Sequence, residues 1–107
     1  MAYKPTYAVD VPDRAEIDAL PGFVLLEFGV DWCPHCQGAQ PAIEGALQAH
    51  AGLPHIKVED GAGRRLGRTF RVKLWPTLIL LRDGQELGRV VRPTTVGEVR
   101  ELLATVS

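Results

Sequence analysis

Residues 23 to 30 read FVLLEFGV, apolar at nearly every position and bounded upstream by Pro21-Gly22. A run without polar alternation reads as a strand buried on both faces, the kind found in the middle of a parallel or mixed sheet. The elements around this central strand follow from periodicity and turn chemistry. Pro34 to about Ala51 is helix-prone, with Ala39, Ala42, Ile43, Ala46 and Leu47 at helical spacing, Gly52 as a stop and Pro41 as an internal kink. A short strand is predicted near His55 to Glu59, a helix near Arg64 to Phe70, and a strand at Thr77 to Arg82. Asp83-Gly84 then turns the chain into a strand from about Gln85 to Val91. Thr94 or Thr95 caps a last helix running through Ala104, with Val96, Val99, Leu102 and Leu103 as its buried stripe. Upstream, Asp13 to Ala19 reads as a short helix, preceded by a strand around Tyr7 to Val9. The order β-α-β-α-β-α-β-β-α implies a parallel core with an antiparallel edge from the hairpin. The fold class is α/β: a central mixed β-sheet flanked by helices, in a single domain over residues 1–107.

The 107 residues are 46% hydrophobic and 23% charged, which suits one compact domain with no room for a second. A chain of this length removes roughly two-thirds of its unfolded surface from water, so its core does not need a disulfide framework, and two cysteines could not supply one. The apolar content excludes disorder, and 12 basic against 13 acidic residues argue against a nucleic-acid partner. The opening MAYKPTYAVDVPD lacks an apolar leader core, and the longest apolar runs are too short to span a bilayer. With Met1 as the native start, the expected location is the cytoplasm, without membrane attachment. Charge is unevenly shared: residues 1–55 hold two basic and seven acidic side chains, residues 56–107 ten and six.

The two cysteines lie in Trp32-Cys33-Pro34-His35-Cys36, where the buried strand ends and the long helix begins. Four readings compete. A structural disulfide across so short a loop would contribute little, because the stabilisation grows with loop length. Zinc needs four ligands, and Cys33, His35 and Cys36 supply three at best, with only His50 and His55 elsewhere. Covalent haem attachment requires histidine after the second cysteine, where Gln37 stands. Dithiol–disulfide exchange is the reading that C-x-x-C at a strand-to-helix junction favours; it needs neither metal nor cofactor. In that reading Cys33 takes the helix N-cap, where unpaired N–H groups and the positive end of the helix dipole favour a thiolate, and it is the nucleophile. Pro34 at the first helical position loses nothing by lacking an N–H, and an imidazolium at His35 would further favour the anion. A well-stabilised thiolate makes a comparatively oxidising pair. Glu27 interrupts the apolar strand, and burial there should raise its pKa.

These residues resemble the thioredoxin family from about Asp13 to the C-terminus. Trp32 to Cys36 match its W-C-x-x-C, Pro41 its helix-kinking proline, Trp75-Pro76-Thr77 its cis-proline loop and Asp83-Gly84 its hairpin turn. The resemblance implies the thioredoxin fold and thiol–disulfide exchange with protein disulfides. It implies that Glu27, six residues before Cys33 where the family usually has aspartate, deprotonates Cys36 directly or through water. Lys57 falls on the family's lysine and is the expected partner of Glu27; the competing reading of Glu27 is a carboxylate at a strand edge merely paired with that lysine. Pro76 would form a cis bond against the cysteine pair, with the backbone of Trp75 binding the substrate segment; Trp75 as a core residue is the competing reading. Trp32 either shields the pair or packs beside it. Two departures stand out. Pro34-His35 between the cysteines is the dipeptide of the periplasmic oxidant DsbA, although about forty residues between Cys36 and Pro76 leave no space for that protein's inserted domain. Arg92-Pro93 stands where thioredoxins often have a glycine for partner approach.

The resulting expectation is a monomeric thiol–disulfide oxidoreductase working as a net reductase, recharged by a thioredoxin-reductase-like flavoprotein or a glutathione system. The alternatives are a more oxidising DsbA-like oxidase or isomerase, and a redox-silent protein-binding module on the same fold.

Overall fold

The computed structural model describes residues 3–106. The central run forms β1 (Phe23–Gly29), flanked in a four-stranded sheet by β2 (His55–Glu59) on one side and by β3 (Thr77–Arg82) and then β4 (Gln85–Val91) on the other. β1 runs parallel to β2 and antiparallel to β3, and β3 is antiparallel to β4. The expected parallel core therefore shrinks to one pair. The connection from β2 to β3 reverses the chain, so the antiparallel pairing begins in the centre of the sheet and not at the hairpin edge.

The period of two along β1 divides its side chains between two layers. Leu25 packs with Ala39, Ile43 and Leu47 of α2 (Pro34–Leu47) and with Val99 of α4 (Val96–Leu102). Val24, Leu26 and Phe28 pack on the opposite face with Ile17 of α1 (Arg14–Asp18) and Leu66 of α3 (Arg65–Thr69). Both faces are thus covered, as the unbroken apolar run requires. Asp13 and Thr95 close capping boxes with Glu16 and Glu98 at the starts of α1 and α4. Asp83 and Gly84 both have positive φ, 51° and 80°, as a two-residue hairpin turn demands.

Three boundaries differ from the sequence expectation. Helix α2 contains Pro41 but ends at Leu47, not near Ala51, because the next turns tighten through His50 N–H to Leu47 O and Leu53 N–H to His50 O. The last helix stops at Leu102, with Leu103 as its C-cap. Tyr7 to Val9 is not a full strand: Ala8 alone bridges to Val58, donating to Lys57 O and accepting from Glu59 N–H, both at 2.8–2.9 Å. That single bridge nonetheless ties the N-terminal segment to the outer edge of β2, beside the cysteines.

Candidate functional site

Cys33 is the N-cap of α2, with extended backbone (φ −79°, ψ 122°), and its Sγ accepts from Cys36 N–H at 3.4 Å. Pro34 occupies the first turn without wasting a donor. Both thiols are free. Burial pushes the Cys33 thiol up, but the N–H groups of Cys36 and His35, the Cys36 thiol and the Arg92 guanidinium together hold it below the ordinary thiol range. His35 contributes its backbone N–H, and a positive charge comes from Arg92. Cys36 is 1% exposed. Burial and the neighbouring Cys33 push its thiol up to about 11, against the opposing influence of the Val30 backbone and the Tyr7 side chain.

Behind Cys36 lies a buried polar cluster that the alternation of β1 and β2 assembles. Glu27 pairs in register with Lys57, and Leu25 with His55, so Glu27, His55 and Lys57 share the face of the sheet under α2. All three are at most 3% exposed. Glu27 Oε1 lies 2.9 Å from His55 Nε2, while Oε2 accepts from the Tyr7 hydroxyl and, at 3.0 Å, from Gln40 Nε2. Lys4 N–H donates to His55 Nδ1 at 2.9 Å, so that nitrogen is an acceptor and the ring proton sits on Nε2, donated to the carboxylate. Burial raises the Glu27 pKa, as the sequence suggested, but His55, Lys57 and Tyr7 outweigh it and hold the carboxyl below its usual range. The expected upward shift is therefore reversed. The Lys57 partnership is also revised: its Nζ donates to Pro5 O at 2.9 Å and Gln40 Oε1 at 2.7 Å, and reaches Glu27 only through the Gln40 amide and through its charge.

Trp32 is 72% exposed and meets Trp75 edge-on, with ring centroids 6.0 Å apart. Trp75 is half-buried against the cluster of Tyr7, Val30, Cys33 and Cys36, its Nε1 donating to Asp60 Oδ2 at 2.8 Å. The Trp75–Pro76 peptide bond is cis. Arg92 Nε donates to Trp75 O at 2.9 Å, and Arg92 N–H to Pro76 O at 2.9 Å. Arg92 has a φ of 53°, a left-handed conformation that costs a residue with a Cβ about 1 kcal/mol and glycine nothing. Every candidate from the sequence thus lies in one neighbourhood. Sequence reasoning missed Tyr7, Gln40 and His55 as members of it. His55 carried a signal: polar His55 and Lys57 alternate with apolar Ile56 and Val58 in a predicted strand. Gln40 and Tyr7 carried none, since their positions depend on tertiary contacts.

With this geometry in view, the thioredoxin family model matches residues 10–105. Among solved structures, reduced thioredoxin 2 from Pseudomonas aeruginosa PAO1 superposes with a TM-score of 0.83 at 52% identity, covering 92% of each chain. Thioredoxin from Chlamydia trachomatis is 40% identical over 73 residues, 65% of this chain and 69% of that protein. Protein disulfide-isomerase A3 of Gallus gallus is 38% identical over 76 residues, 70% of this chain but 15% of that protein's length. A C-x-x-C pair at the head of the helix that follows β1, in this fold, makes the protein a thiol–disulfide oxidoreductase. The chain belongs to the thioredoxin family.

Proposed function

We propose that the protein is a protein-disulfide reductase in which Cys33 attacks the substrate and Cys36 resolves it. The observation that carries this reading is the difference between the two sulfurs at the head of α2: Cys33 Sγ accepts from Cys36 N–H and its pKa is lowered, whereas the deeper Cys36 thiol is pushed up to about 11. The Cys33 thiolate displaces one sulfur of a substrate disulfide, giving a mixed disulfide; Cys36 then attacks Cys33 Sγ, expelling the second substrate sulfur as a thiolate. Two electrons pass to the substrate and the pair is left oxidised. The exposed Trp32 and the half-buried Trp75 beside cis-Pro76 border the approach to Cys33 and are the proposed substrate contacts. Glu27 is the proposed proton acceptor for Cys36, with Lys57 tuning its charge.

Net reduction in the cytoplasm, by a monomer recharged from a thioredoxin-reductase-like flavoprotein or a glutathione system, completes the proposal. Among the described residues no helix is long and apolar enough to cross a membrane. One observation favours a second reading: the depressed Cys33 pKa, beside Pro34-His35, stabilises the reduced form and would make the pair an oxidant. Two measurements test these readings. Cys33→Ser should abolish reduction of a disulfide-containing protein, and a variant as fast as the wild type would overturn the mechanism. Equilibration with glutathione should give a potential nearer about −270 mV than about −120 mV; a value at the upper figure would replace the reductase by an oxidase. A double Cys→Ser variant that retained cellular function would favour a binding module instead.

A further inference from the structure

We propose that Tyr7, supplied by the N-terminal segment, is a catalytic residue of the resolving step, carrying the Cys36 proton to Glu27 through its hydroxyl. The proposal rests on the order of attack given above. It starts from a gap in β1. Gly29 shares the α2 face of the strand with Glu27, and a Cβ there would lie 2.6 Å from Tyr7 Oη and 2.7 Å from Cys36 Sγ. No side chain other than hydrogen fits, and the space it leaves is filled jointly by the tyrosine hydroxyl and the thiol. The Tyr7 ring is 7% exposed and packed with Val30, Cys33 and Cys36, while its hydroxyl donates to Glu27 Oε2. Among the described residues, no hydrogen bond joins Glu27 directly to the Cys36 thiol: Gln40 Nε2 holds Glu27 Oε2 and, at 2.8 Å, Cys36 O. The hydroxyl and the Cys36 sulfur thus border the same space above Gly29, and the phenolic proton is directed at the carboxylate.

The remaining contacts fix this arrangement. Ala8 is bridged to Val58, so the residue before it is delivered to the mouth of the cluster, and Tyr7 N–H donates to Asp31 Oδ1 at 3.3 Å. The Lys57 ammonium lies 4.5 Å from the Tyr7 ring centroid, within cation–π reach. His55 and Gln40 occupy the other donor positions on Glu27, leaving Oε2 oriented toward the phenol. Burial and the Glu27 charge hold the Tyr7 phenol far above its ordinary pKa. Tyr7 therefore cannot serve as a base by losing its proton to solvent; it hands one proton on as it receives another.

In the step itself, Cys36 Sγ forms a bond to Cys33 Sγ as the bond from Cys33 to the substrate sulfur breaks, the electron pair leaving on the substrate thiolate. The Cys36 proton moves to Tyr7 Oη while the phenolic proton moves to Glu27 Oε2. The net products are an oxidised cysteine pair, a substrate thiolate and a protonated Glu27, which later returns its proton to solvent. Resting contacts of this type tighten as the sulfur moves to attack.

The test separates the two sulfurs in time. The reduced protein is mixed with 5,5′-dithiobis(2-nitrobenzoate), and release of the coloured thiolate is followed: the first equivalent reports attack by Cys33, the second resolution by Cys36. Tyr7→Phe should leave the first rate within about twofold and slow the second at least about tenfold at neutral pH, the missing rate returning as pH rises toward the Cys36 pKa. Glu27→Gln should slow the second phase similarly, and the double variant should be no slower than the slower single one, because both changes interrupt one path. In the wild type the second phase, and not the first, should slow in deuterated water, a measurement independent of how well the variants fold. An unchanged second phase and pH profile in natively folded Tyr7→Phe, or multiplicative effects in the double variant, would overturn the relay. Loss of the first phase in Cys36→Ser, with Cys33→Ser still reacting, would instead overturn the order of attack.

Discussion

Cys33 and Cys36 are the same chemical group three residues apart, yet the fold shifts their pKa values in opposite directions. Cys33 lies where α2 begins, under N–H groups with no helical partner and within the field of Arg92; Cys36 lies one turn in, sealed against Tyr7 and Val30. The helix terminus lowers the first pKa and burial raises the second, which reaches about 11. In the proposed mechanism one sulfur attacks as an anion when substrate arrives, and the other stays silent until a base is offered. Glu27, the proposed proton acceptor, is unlike Cys36 held charged by polar partners despite its burial.

The contrast can be broken most sharply by removing the silent sulfur. Cys36→Ser should eliminate turnover and accumulate a mixed disulfide through Cys33, seen as an added substrate mass that a reducing agent removes; absence of the adduct where the wild type turns over would remove Cys36 from the resolving role. Next in size is the support of the buried cluster. Glu27→Ala leaves the Tyr7 hydroxyl, His55 Nε2–H and a Gln40 donor without their acceptor, and should cost about 3 kcal/mol in denaturant unfolding at pH 7. The sign with pH follows from the depressed carboxyl: its contribution is fully present above the unfolded value of about 4.3 and is lost as pH falls through the lower folded value. The gap between wild type and Glu27→Ala should therefore narrow on acidification.

Gly29→Ala should cost about 1–3 kcal/mol, since its Cβ must displace both Tyr7 Oη and Cys36 Sγ, while leaving the alkylation rate of Cys33 nearly unchanged. The smallest change is expected at the charge partner of Cys33. Arg92→Gln should raise the Cys33 pKa and slow its alkylation about threefold below that pKa, whereas His35→Ala, which keeps the backbone N–H, should do less. A larger effect of His35→Ala would restore the imidazolium role that the sequence suggested.

The sequence made the sheet centre, the helix behind the cysteines and the hairpin legible because each rests on local chemistry: an unbroken apolar run, a 3.6-residue stripe, and Asp83-Gly84 with positive φ. Strand direction was less legible. Alternating elements suggested a parallel core, but the reversal before β3 is decided by a connection with no directional signal of its own. The cysteines, Glu27 and Pro76 could be picked out as candidates because their spacing along the chain matches the family pattern. The carboxyl's pKa was misjudged because burial is visible in an apolar run, whereas His55, Tyr7 and Gln40 arrive from three other segments. Tyr7 lay furthest from prediction, since its segment makes a single β-bridge and its place depends on a glycine in another strand.

The division between the two sulfurs can be measured in one experiment: carboxamidomethylation of the reduced wild-type protein across pH, with each cysteine quantified by peptide mass. Cys33 should react with a midpoint below the ordinary thiol value of about 8.5, and Cys36 should stay unmodified until well above it. Equal midpoints, or Cys36 reacting first, would contradict the account.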